Sequence, residues 1–267
     1  VFSVNKRYLG AILVAPFLIF LYIGGMYLKI LTLILSLIGL YEFYSAVNTK
    51  NTHIFDILGY VFCIIYYWGL RNTFKIDLLV YEIAALALIS FCITVINNKF
   101  NFLDVSTTVL GFIYVPVFLS FITLTESTKY GHVLVWIIFI SSWMCDTSAY
   151  YFGRFLGKRK LCPNISPNKT IAGAIGGLFG STVACMVYGI AIRSSVQIPL
   201  YHFVIIGLLG GILGQFGDLT ASSIKRTVKI KDFGNIIPGH GGILDRFDSI
   251  LFTSFLVYYY ISFILGL

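Results

Sequence analysis

Four aspartates lie at the edges of apolar runs in this chain. Asp146 is in SSWMCDTSAYYFGR, Asp218 in GQFGDLTASSIKR, and Asp245 and Asp248 share HGGILDRFDS. A carboxylate at membrane depth is costly and points to function or to a polar interior. Asp245 and Asp248 stand three residues apart, so a helix can turn both carboxylates to one side. Ser142 and Tyr150 flank Asp146 at four residues on either side and share its helical face. Ser222 follows Asp218 by one turn, and Lys225 and Arg226 come next. Carboxylates suit a hard cation such as Mg²⁺, which keeps water and substrate phosphate in its shell. Lys and Arg suit phosphate oxygens. Aspartates alone would repel a polyphosphate, and lysines alone would bind it without activating it. The combination fits metal-assisted phosphoryl or nucleotidyl transfer, where catalysis is mostly positioning and charge neutralisation.

Two further stretches support this chemistry. In PGHGG, Gly239, Gly241 and Gly242 let backbone amides approach a phosphate and open a helix whose N-terminus favours anions. Asp245 there also suits the helix dipole. In SPNKT, Ser166 and Thr170 resemble ordinary caps before a helix, and Lys169 beside them can reach a phosphate. The order is not that of a Walker A loop. Of the four His, His240 alone sits among charged residues and glycines, with a supporting part in phosphate contact or proton transfer. His53, His132 and His202 read as interfacial. Among the remaining acids Glu42, in LYEFY, reads as a structural hydrogen-bond partner, and the others as interfacial.

The elements that must carry these residues are helices in a bilayer. The chain is 58% hydrophobic and 11% charged over 267 residues, with net charge +8. Several apolar runs reach the roughly 20 residues a spanning helix needs. The pattern predicts an all-α polytopic bundle of about nine spans: 8–24, 26–47, 54–70, 78–96, 105–124, 132–152, 171–192, 201–222 and 243–265. Two longer loops, 153–170 and 223–242, interrupt short connections. With the N-terminus inside, only Lys29, Arg71, Lys75, Lys129 and Arg193 of the 19 Lys and Arg fall outside. The positive-inside rule then makes the N-terminus cytoplasmic, with all four aspartates near that face. The five cysteines are scattered and read as small core hydrophobes. No repeat or linker divides the chain. It reads as one membrane domain, with residues 1–130 as scaffold and dimer contacts and 131–267 carrying the site.

The run SSIKRTVKIKDFGNIIPGHGGILDRFD resembles the signature of phosphatidate cytidylyltransferases, the CDP-diacylglycerol synthases. That signature reads Ser-x-aliphatic-Lys-Arg, Lys-Asp, Pro-x-His-Gly-Gly and Asp-Arg-x-Asp. The upstream CDTSAYYFGRFLGK and SPNKT are similar to family boxes in the same order. The resemblance implies conversion of CTP and phosphatidic acid to CDP-diacylglycerol and pyrophosphate, in phospholipid synthesis at the cytoplasmic side of a bacterial inner membrane. It implies a homodimer in lipid, with no nucleic-acid partner. It implies Mg²⁺ at Asp218, Asp245 and Asp248, with K⁺ as a possible second cation, and Asp146 as a further acid. Lys169, Lys225, Arg226, Lys231 and Arg246 match basic positions, and Asp232, Ser166, Thr170, Ser222 and the three glycines complete the substrate set. The chain departs from the pattern at Ala221 and Ala172, where many members carry Glu, at Ile171 in place of Trp, and at Asn168 in place of Lys. The nearer alternatives are a CTP-dependent polyprenol kinase and an ether-lipid cytidylyltransferase. An ion-coupled transporter would use the acids for a proton or Na⁺, but predicts a repeat that the sequence lacks.

Overall fold

A computed structural model of the chain describes residues 17–47, 53–70, 76–236 and 241–267. Nearly all regular structure is helical, with one short two-stranded hairpin. Among the described residues seven helical segments are long and apolar enough to cross a bilayer. They are α1 (Gly25–Val47), α3 (Ile76–Ile96), the α4–α5 segment (Phe102–Glu126), the α6–α7 segment (Gly131–Leu156), α8 (Ile171–Ala191), α9 (Leu200–Thr227) and the α10 segment (Leu244–Ile264). The eighth expected span is α2, His53–Gly69, of 17 residues. The first, 8–24, lies largely outside the described residues. Its end, 17–23, is helical and stops at Gly24. Gly24 and Gly25 have φ of 68° and 56°. Such angles suit glycine and turn the chain too sharply for one helix to continue.

Two expected loops are shorter than the hydropathy suggested. Helix α7 (Trp136–Leu156) continues beyond residue 152, and α9 keeps Lys225 and Arg226 in its last turn. Both are good helix formers, and cations there complement the helix dipole. The rest of 153–170 contains a hairpin. β1 (Lys160–Cys162) pairs antiparallel with β2 (Ser166–Thr170), Lys160 opposite Thr170.

The described residues form two compact units, 1–124 with 230–246, and 125–229 with 247–267. In the first, α1 packs on α2 and on α4 (Phe102–Phe112), and α2 on α3. Side chains replace the missing hydrophobic drive between helices in lipid with packing and buried hydrogen bonds. Thr32 meets Thr123 at 2.9 Å, Ser36 meets Tyr67 at 2.9 Å, and Tyr44 donates to the Thr108 carbonyl at 2.9 Å. Pro116 has no N–H to give, and the helix widens around it into a π turn over Ile113–Val117. Asn101 and Asp104 form a reciprocal capping box at the start of α4. Glu82 was expected at an interface. It is buried in α3, and neither carboxylate oxygen has a hydrogen-bond partner among the described residues.

The second unit is built on small residues. Gly173, Gly176, Gly177 and Gly180 put α8 against α7 so closely that added Cβ atoms would meet Ala149, Phe152, Cys145 and Ser148. Helix α9 uses Gly207 and Gly211 against α8, and Gly214 and Gly217 against residues 248–253 of α10 (Leu244–Tyr259). Close approach lets short hydroxyls bond across helices. Ser141 meets Ser181 at 2.8 Å, and Ser142 meets Ser249 at 2.7 Å.

Candidate active site

The second unit holds a cavity of about 540 Å³. Helix α7 contributes Asp146, Tyr150 and Arg154, and the hairpin contributes Lys160, Asn168, Lys169 and Thr170. Helix α9 contributes Gln215 and Asp218. The hairpin brings Lys169 here because the register at its open end sets Thr170 opposite Lys160 and leads straight into α8. Lys169 Nζ lies 2.6 Å from Asp218 Oδ2, both side chains about a quarter exposed, at 24% and 28%. Ser222 donates to Asp218 Oδ1 at 3.4 Å, one helical turn on, as its spacing predicted.

Asp248 completes an acidic group. It interacts electrostatically with Asp218, Asp146 and Lys225. Its Oδ1 accepts the Ser249 N–H at 2.8 Å. The Ser249 hydroxyl reaches Asp146 Oδ2 at 3.4 Å and Ser142 at 2.7 Å. Carboxylates from α7, α9 and α10 thus face one another, with buried Lys225 beside them and Lys169 on the cavity side.

Other residues expected at the site are bonded locally or do not line the cavity. Asp245 belongs to the first unit, where it is buried. Its Oδ2 accepts the N–H groups of Phe233 at 2.8 Å and Gly242 at 3.0 Å. At the helix start that follows PGHGG, the amides of Ile243 and Leu244 donate to Glu42 at 2.8 Å each. Gly241 has φ of 83° and sits against Asp245, a turn suited to glycine. Thr170 caps α8, its hydroxyl accepting the Gly173 N–H at 3.1 Å. Ser166 pairs with Cys162 in the hairpin. Arg226 donates to the Ile165 carbonyl at 3.3 Å, and Lys231, Asp232 and Arg246 are exposed. Gly239 and His240 lie outside the described residues. Sequence reasoning did not single out Gln215, Arg154 or Lys160. Gln215 donates to the Ala174 carbonyl at 3.0 Å, and its signal was an amide inside a glycine-rich apolar span.

The donor set bears on a metal. Among the described residues no three His, Cys, Asp or Glu side chains form a ready-made ligand cluster. What faces the cavity is hard oxygen: the carboxylates of Asp218 and Asp146, with Asp248 in their electrostatic reach. Such a set fits Mg²⁺, which is held by one or two carboxylates with water and substrate phosphate as its other ligands. It does not fit a soft or fully caged ion.

Comparison with known proteins gives the family. A family model described as the cytidylyltransferase family matches residues 5–264. The chain is 32% identical to the phosphatidate cytidylyltransferase of Bacillus subtilis strain 168, over 97% of this chain and 98% of that protein. It is 36% identical to the phosphatidate cytidylyltransferase of Staphylococcus saprophyticus and 38% identical to that of Staphylococcus aureus strain COL, in each case over 86% of this chain and 88% of the relative. The match therefore spans the scaffold helices as well as the acidic group, and the chain belongs to the cytidylyltransferase family.

Proposed function

We propose that this protein is a CTP:phosphatidate cytidylyltransferase, a nucleotidyltransferase of phospholipid synthesis in a bacterial membrane. The observation that carries the reading is the meeting of Asp146, Asp218 and Lys169 on a cavity wall, with Asp248 and Lys225 in electrostatic reach, in an otherwise apolar helical unit. A phosphate oxygen of phosphatidate attacks the α-phosphorus of CTP. The bond from that phosphorus to the bridging oxygen of the β-phosphate breaks, and pyrophosphate leaves, giving CDP-diacylglycerol. The nucleophile is already anionic, so no strong base is needed. Lys169, with Lys160 and Arg154 on the same wall, takes charge on the triphosphate. Asp218 and Asp248 would hold Mg²⁺, and the resemblance to the family assigns Asp245 to the same ion. Bound there, Mg²⁺ would neutralise phosphate charge and make phosphorus more electrophilic. K⁺ is a candidate for a second site.

The acyl chains stay in lipid, and the site opens to the cytoplasm through the basic face of the chain. The active form is a homodimer in the inner membrane. Purified protein with labelled CTP, Mg²⁺ and phosphatidate should move label into the lipid phase. Label on a polyprenol or an ether lipid, with none on phosphatidate, would replace the acceptor assigned here. Asp245→Asn should abolish the transfer while the protein remains in the membrane. Near-normal activity in that variant would remove Asp245 from the site.

A further inference from the structure

Helix α10 opens with an unusual cap. The N–H groups at a helix start are ordinarily satisfied by a residue one to three positions away. Here the acceptors come from Glu42, on α1. Its Oε1 accepts from Ile243 and its Oε2 from Leu244, each at 2.8 Å, across 201 and 202 residues of chain. The side chain is 1% exposed. The backbone is shaped around it. A Cβ on Gly242 or on Gly234 would overlap the Glu42 carboxyl group. Asp245, the acidic residue of the first α10 turn, ties the same segment from inside. Its Oδ2 accepts from Phe233 and Gly242. Two carboxylates thus fix the amides of Phe233, Gly242, Ile243 and Leu244, and they do so close enough to repel one another.

A cap serving only stability has a simpler solution in a local Ser or Asp. Burying a carboxylate next to another one is costly unless its hydrogen bonds are complete. What a remote cap adds is direction. It locks the start of α10, and therefore the Asp245 side chain, to the frame of α1. We propose that Glu42 is a positioning residue for the transfer reaction, holding the start of α10 so that Asp245 and Arg246 are presented in one orientation. This rests on the functional reading above. Glu is needed rather than Gln, because both oxygens accept. An amide would turn its NH₂ toward one of the two N–H groups and leave that donor unpaired.

The test compares wild type, Glu42→Gln and Glu42→Asp in lipid nanodiscs. CDP-diacylglycerol formation is measured against CTP, together with amide hydrogen exchange. Glu42→Gln should lower kcat at least tenfold and leave the KM for CTP within twofold. Exchange should rise at least tenfold at residues 242–245, with the other helices unchanged. Glu42→Asp, which keeps two acceptors on a shorter arm, should recover part of kcat. A wild-type kcat in Glu42→Gln overturns the role. So does a loss of kcat with exchange raised evenly along the chain, which marks general destabilisation. If Glu42→Gln does not fold, Glu42→Asp decides alone: local exchange with reduced kcat supports the role, and wild-type kcat overturns it. A wild-type protein that transfers nothing to phosphatidate removes the functional reading instead.

Discussion

Lys169 and Asp218 hold each other at 2.6 Å on the wall of the cavity. The pair has two consequences. Lys169 partly neutralises an acidic group in which Asp218 and Asp146 each repel Asp248. It also occupies Asp218 Oδ2, so a Mg²⁺ held by that oxygen would compete with the ammonium for it. Released from Asp218, Lys169 would be available to a triphosphate. A point charge on a flexible stem suits such an exchange better than the rigid fork of Arg. Lys169→Met should therefore act in opposite directions on two measurements. Metal should bind more readily, seen as a larger rise in melting temperature on adding Mg²⁺ without nucleotide. Turnover should suffer, with kcat/KM for CTP down about a hundredfold, or about 3 kcal/mol of transition-state stabilisation. An unchanged kcat/KM would show that Lys169 only balances charge.

At the scale of elements, the cavity exists because α7 and α8 nearly touch and the hairpin folds over their ends. Gly173 sits at that contact. A Cβ there would lie 2.8 Å from the Ala149 carbonyl and 3.3 Å from Gly153 Cα, both backbone atoms that cannot step aside. Gly173→Val should destabilise the protein by about 1–3 kcal/mol, the usual cost of overpacking. A thermal melt in detergent measures it, and an unchanged melting temperature would mean the helices part without cost. These helices were legible from hydropathy, and the four aspartates stood out by their cost in an apolar run. The hairpin was not. Its strands are short, and SPNKT carries a proline and a turn-forming asparagine that read as loop. Nor could the sequence reveal that the amides before Asp245 belong to Glu42. Their separation of 201 residues lies beyond any periodicity, although the carboxylate in LYEFY was already the sign of a buried polar partner. Lys225 and Arg226 were placed in a loop because hydropathy falls where the helix merely leaves the apolar layer.

At the scale of the whole molecule, the membrane orientation turns on α2. At 17 residues it rises about 26 Å, a little short of the roughly 30 Å hydrocarbon layer. If α2 crosses, the segments before it and after α3 lie on one side, and Lys50 and Lys99 join the basic residues of the hairpin on the cytoplasmic face. If it does not, that charge pattern breaks, and those two lysines fall on opposite sides. Charge asymmetry of this kind sets orientation, so the crossing is expected, with local thinning of the bilayer making up the missing length. Single cysteines in a background free of the five native ones decide the matter. His53→Cys and Asn97→Cys should both react with an impermeant maleimide only after the cells are opened. Ser194→Cys, beyond the end of α8, should react in intact cells. Labelling of positions 53 and 97 from opposite sides would show that α2 lies within the membrane without crossing it. The cytoplasmic opening of the site would then have to be assigned afresh from Lys158→Cys, next to the hairpin, which on the present reading is also protected in intact cells.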